Sequence, residues 1–277
     1  MRVVVLVKQV PDITSERGLD AEGRLERTPE AAVLNELDEG GLETALRAAD
    51  ALGARVVAVT MGPEQASAAA RKALQVGAAL GVHVCDDALA GSDAVVTARV
   101  LARAISLLDD EDPTDPVALV VAGMSSLDGL GSVVPALVAA ELGWPVASYA
   151  GTVEVTAGEG GDGVGATVTV TRATDHGREE LRTSLPAVVG VTDTIAALRV
   201  PSFPTMLAAR SATLRTLTVA DLGLDEGDVG AAGARAVVAT AQERPARPPA
   251  RIVTDTGAAG VALVDFLTER GLVEVSA

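Results

Sequence analysis

Aromatic side chains are almost missing: Trp144, Tyr149, Phe203 and Phe266 are the full set in 277 residues. The core must then be built from Ala, Val and Leu, and little is available to sandwich a flat ring. The single cysteine, Cys85, excludes an internal disulfide and any CxxC metal or redox pair. No apolar run is long enough to span a bilayer and no leader-like start is visible, so a cytoplasmic protein without membrane insertion is expected. Basic residues are few, 22 against 38 acidic ones, and the net charge of −16 argues against nucleic acid or an anionic membrane as partner. Catalytic patterns are lacking as well. His83 and His176 stand in no metal-ligand spacing, and there is no GxSxG and no Cys/His pair close in sequence. Asp12, Asp38, Asp128 and Asp175 lie near turns, where Asp is common for turn reasons alone. The expectation is a chain that is not an enzyme and has no catalytic or metal residues of its own.

What is present centres on Val117 to Pro145. An apolar run from Val117 to Val121 predicts a buried strand that Gly123 ends. Gly129 and Gly131 then allow close backbone approach or a positive φ. Ser132 is placed to cap a helix whose apolar positions are Val134, Leu137, Val138 and Leu142, with Pro135 in its first turn and Gly143 as its stop. The unpaired first amides of such a helix bind anions, phosphate among them.

From the start of the chain, Arg2 to Val7 predicts a strand covered on both faces. A polar loop to about Glu30 follows, then a helix beginning at Asn35 to Asp38 and closing at Gly53. Val56 to Val59 predicts a second core strand, a helix runs through Ala66 to Leu74, and Val82 to Val84 is a short strand. Another helix covers Asp93 to Leu108. This alternation predicts an α/β fold with a doubly wound, mostly parallel sheet of the adenine-nucleotide-binding, flavodoxin- or Rossmann-like kind, with its ligand beyond the carboxyl ends of the strands. After Pro145 the pattern changes to an antiparallel β-meander over residues 150–192, including the glycine-rich AGEGGDGVG and the Leu185 to Val191 run. Residues 193–210 predict a loop with Pro201 and Pro204 leading into a helix. The α/β domain is expected to span 1–241, and 242–277 to be a Pro- and Arg-rich linker with a terminal amphipathic helix.

Several segments resemble the beta subunit of electron-transfer flavoprotein. They are Val3 to Asp12, Leu34 to Arg47, Val59 to Ala78, the Gly123 to Pro145 stretch, and the pattern V-x-R-x-x-D-x-G-x-E-x-L-x(4)-P-A-V-V from Val170 to Val189. His176 and Gly190 depart from that family pattern. The resemblance implies a heterodimer with an alpha subunit. FAD would be bound mostly by alpha, and AMP would be held structurally by this chain. AMP would contact Leu6, Asn35 and Met61 and the loop of Gly123, Asp128, Gly129, Leu130, Gly131, Ser132, Val133 and Val134, with Asp128 accepting loop amides or a ribose hydroxyl. It implies electrons taken from flavin dehydrogenases, such as the acyl-CoA dehydrogenases of fatty acid beta-oxidation, and passed to a quinone reductase of the respiratory chain. Residues 193–210 would be the partner-recognition loop with Ile195 as anchor, and the tail would dock on the alpha subunit. Ala196, Ala197 and Leu198 replace the family's usual Asn-Glu-Pro after the anchor. Two other readings stand beside this one: an electron-bifurcating beta subunit carrying a second FAD in place of AMP, and a stand-alone adenine-nucleotide-binding or sensing module.

Overall fold

A computed structural model describes residues 1–15, 18–21, 23–27, 32–158, 165–242, 245–255 and 257–273. The chain falls into two units, Met1–Ala239 and Thr240–Ala277.

The first unit opens with β1 (Arg2–Leu6), whose five side chains are all buried. A small antiparallel pair follows, β2 (Gln9–Pro11) with β3 (Ala32–Leu34). The expected polar loop is thus bounded by paired strands. Its residues 28–31 lie outside the described residues. Next come α1 (Glu36–Leu52), closed by Gly53 in the left-handed region, then β4 (Arg55–Met61), α2 (Ser67–Val76) and β5 (Leu80–Val84). Helix α3 (Ala94–Glu111) begins where the Asp93 carboxylate accepts the Val96 N–H at 2.9 Å. Then come β6 (Val117–Gly123), buried throughout, α4 (Val134–Leu142) and β7 (Val146–Ala150).

Strands β8 (Thr152–Thr156), β9 (Thr167–Thr174) and β10 (Gly177–Ser184) form a separate antiparallel sheet. The glycine-rich connector at 159–164 lies outside the described residues. The chain returns through β11 (Ala187–Val191), α5 (Phe203–Ser211), β12 (Leu214–Leu217) and the single turn α6 (Gly230–Gly233). Pro204 stands inside the first turn of α5 and not in the loop expected for it, as its fixed φ allows.

The main sheet runs β12-β5-β4-β1-β6-β11-β7, parallel at every pairing. One correction to the sequence reading concerns β11. It is not the last strand of the meander but a central strand of this sheet, between β6 and β7. All five of its residues are buried, so it needs cover on both faces, which a half-exposed meander cannot supply. Leu42, Ala45, Leu46, Ala69 and Ala73 of α1 and α2 pack on one face, with Val168 and Val170 of β9. Val96, Val100, Leu101 and Ile105 of α3 and Val138 of α4 pack on the other. After β1 the chain builds β4 and β5 to one side, then crosses back to lay β6 on the other. The carboxyl ends of β1 and β6 therefore flank a topological switch point, the usual ligand crevice of such sheets.

The second unit carries α7 (Ala259–Glu269), none of whose residues is buried. Val261, Leu263 and Val264 are exposed along it, and the Arg270 guanidinium lies 4.8 Å from the centre of the Phe266 ring.

Candidate nucleotide site at the switch point

The loop between β6 and α4 is held from three directions. Asn35, wholly buried just before α1, donates from its amide nitrogen to the Ser125 carbonyl at 2.9 Å and accepts the Leu127 N–H at 3.0 Å. Met124 N–H donates to the Val191 carbonyl at 2.8 Å, which ties the loop to β11. Asp128 has no exposed side-chain surface and is bridged by Lys8 Nζ at 2.8 Å and by Arg27 Nη2 at 2.6 Å. Burial alone would raise the Asp128 carboxyl, but the Lys8 charge and hydrogen bonds from Lys8, Arg27 and Ser126 overcome it and bring it down to about 2. Its oxygens accept from these cations, and the ion cluster fixes the loop.

Gly123 is where close approach is required. A Cβ there would stand 2.5 Å from the Leu37 carbonyl oxygen and 2.6 Å from an Asp38 carboxylate oxygen. Asp38 is buried in the first turn of α1, and its carboxylate accepts the Lys8 N–H at 2.8 Å. Burial pushes its carboxyl up to about 7, against the lowering effect of hydrogen bonds from Asn35 and the Lys8 N–H.

The turn itself differs from the glycine reading. Positive φ falls on Leu130 (48°) and Ser132 (53°), not on Gly129 or Gly131. Two non-glycine residues in the left-handed region are costly, and such strain gathers at ligand loops. Nor does Ser132 cap α4: the cap position is Val133, with no side-chain hydrogen bond. As a result, among the described residues no protein acceptor meets the backbone N–H groups of Gly131, Ser132, Val133 and Val134. These donors stand at the start of a nine-residue helix, where its dipole is positive.

Leu6 ends β1 and pairs in register with Val59 and Ala122. Met61 ends the adjacent β4. The structure thus brings the ends of β1, β4 and β6 together with Asn35. Ile195 lies apart from them. It is half-buried beside Gly40 of α1, where it lines a groove of about 350 Å³ with Thr44, Arg47, Ala48, Thr152 and Val153. Sequence reasoning missed Lys8, Arg27 and Ser126 as a cluster. Lys8 was visible as the polar end of a core strand, but no sequence signal links Arg27 to a carboxylate 101 residues away.

Compared with known proteins, the chain matches the model of the electron transfer flavoprotein domain over residues 24–222. It is 39% identical over 277 residues to an electron transfer flavoprotein subunit beta of Mycobacterium leprae, covering 98% of this chain and 99% of that one. The subunit beta of Mycobacterium tuberculosis is 38% identical with the same coverage. The chain belongs to the electron transfer flavoprotein family. Protein FixA of Rhizobium meliloti is 32% identical over 239 residues, covering 86% of this chain and 80% of that one. The region matching the electron transfer flavoprotein domain holds Arg27, Asn35, the whole β6–α4 loop and Ile195.

Proposed function

We propose that the chain is the beta subunit of a heterodimeric electron-transfer flavoprotein, an electron carrier that uses no acid–base residues of its own, and that it holds AMP at the switch point. The observation that carries the AMP reading is the set of partnerless N–H groups from Gly131 to Val134 at the start of α4. Several successive unpaired amides at a helix start suit a single phosphate. Lys8 and Arg27 close on Asp128 of the same loop, so two cations gather there in a chain that is otherwise acidic. Leu6, Met61 and Gly123 would border the adenosine with backbone and apolar surface, and Asn35 would act by holding the loop.

FAD supplies the redox chemistry in this reading, and it belongs mainly to the alpha subunit. This chain offers little to stack a flavin ring: Trp144, Tyr149 and two Phe are its only aromatics. What the chain does is bind the nucleotide, shape the partner face and carry Ile195 toward electron donors. Acyl-CoA dehydrogenases fit as donors and a membrane quinone reductase as acceptor, with the heterodimer itself in the cytoplasm. No described helix is long and apolar enough to cross a membrane.

The test is to purify the chain co-expressed with its alpha subunit, denature the complex and quantify the released nucleotides. One FAD and one AMP per heterodimer is expected. Two FAD and no AMP replaces this reading with a bifurcating one, and failure to co-purify with any alpha subunit replaces it with a stand-alone nucleotide module.

A further inference from the structure

Helix α1 holds a second segment besides the nucleotide loop. Thr192 to Arg199 lies along the helix and is fastened at two points. At the first, Gly40 lets the segment settle onto the helix axis: a Cβ there would stand 2.9 Å from Ile195 Cγ2 and 3.5 Å from the Ala196 carbonyl oxygen. At the second, three residues further along the same helix face, lies Glu43. Its carboxylate accepts the Arg199 backbone N–H at 3.2 Å, Arg199 Nε at 2.8 Å and Arg199 Nη2 at 3.2 Å. Arg47, one turn on, donates Nε to the same carboxylate at 2.8 Å. The Glu43 side chain is only 5% exposed, while those of Arg199 and Arg47 are 39% and 64% exposed. Burial alone would raise the Glu43 carboxyl, yet hydrogen bonds from Arg199 and Arg47 hold it below the usual range.

A buried acid in the apolar-facing half of a helix is costly unless it is used. Here it is paired with Arg47 of its own helix and with Arg199, and through Arg199 it grips a segment that has no regular secondary structure between β11 and α5. We propose that Glu43 is a positioning residue for partner recognition: through Arg199 it fixes the Thr192–Arg199 segment on α1, with Ile195 seated on Gly40, in the shape that meets the electron donor. This rests on the reading of Ile195 as a partner contact. Beyond the clamp, Val200 and the α5 residues Phe203, Met206 and Leu207 are exposed. Glu43 itself touches no donor; it acts through Arg199.

The experiment uses the complete heterodimer with four forms of this chain: wild type, Glu43→Gln, Arg199→Gln and Ile195→Ala. Arg199→Gln changes a partly exposed residue and keeps the test open where Glu43→Gln fails to fold. Two quantities are read. One is hydrogen exchange of the peptide covering 192–200. The other is the KM for the heterodimer with a purified acyl-CoA dehydrogenase reducing it. In both clamp variants exchange in 192–200 should rise roughly tenfold, with the rest of the sheet unchanged. KM should rise roughly five- to tenfold while kcat holds, the pattern of lost binding and not lost chemistry. Ile195→Ala should raise KM with little change in exchange. Unchanged exchange in Arg199→Gln overturns the clamp. Raised exchange with KM unchanged overturns the positioning role while leaving Ile195 as a contact. KM unchanged in Ile195→Ala overturns the recognition reading and the positioning role with it.

Discussion

Asp38 and Asp128 respond to pH in opposite senses, although both are buried beside Lys8. In an unfolded chain each would titrate at about 4. Folding raises Asp38 to about 7, so its contribution to stability is fully present below about 4 and is lost as pH rises through 7. Folding lowers Asp128 to about 2, so its contribution is present above about 4 and is lost as pH falls toward 2. Between pH 5 and 8, then, Asp38 alone of the two makes the fold weaker as pH rises. Asp38→Asn should flatten that decline and gain about 1–3 kcal/mol at pH 8, followed by thermal melts across the range; an unaltered slope would count against it. Asn35→Ala should cost about 1–3 kcal/mol through two unmet loop groups and lower the AMP recovered from the heterodimer. AMP retained in full would show that the loop holds its shape without Asn35. The family resemblance implies Asn35 as a ligand contact; the bonds of its amide to Ser125 and Leu127 were not legible, because pairs 90 and 92 residues apart leave no trace in local pattern.

Among the elements, the strand and the helix around the switch point were legible almost to the residue. Val117–Gly123 and Val134–Leu142 have an apolar run, a helical repeat and a terminal Gly143 in the left-handed region. The turn between them was not legible, since the strain sits on Leu130 and Ser132 and nothing in those side chains announces it. Strand β11 was misplaced for a related reason: a short apolar run reads alike in a meander and in a parallel sheet until its neighbours are known. Helix α1 joins both functional regions within nine residues, from Asn35 under the loop to Glu43 under the 192–199 segment. Gly123→Ala should therefore be severe, because the added Cβ meets the backbone carbonyl of Leu37 on α1 and neither element can yield cheaply. Loss of at least about 2 kcal/mol is expected in denaturant titration, and a variant as stable as wild type would contradict the contact. For Ile195→Ala, a loss of about 2 kcal/mol in donor binding marks a partner contact. A lost melting temperature with donor kinetics intact marks a residue that merely packs on Gly40.

At the scale of the whole molecule, apolar surface is left open in both units. Val200 and Phe203 are 88% and 75% exposed in the first, and Val261 is 64% exposed in the second. Made without its alpha subunit, the chain should be colourless and should self-associate in sedimentation; a stable monomer binding equimolar FAD would refute the heterodimer reading. Deleting residues after Gln242 should weaken the heterodimer, and an unchanged dissociation constant would assign the tail to its own chain. The order of the sheet also bears on how the protein is made. Among the described residues strand β7 pairs only with β11, and β11 enters between β7 and β6 after the whole meander has been added. Until Ala187–Val191 leaves the ribosome, β7 has no strand partner among the described residues and β6, apolar along its full length, is a bare edge. Nascent chains that stop short of Val191 should thus be the ones that call for a chaperone, and those that pass it should close the sheet on their own.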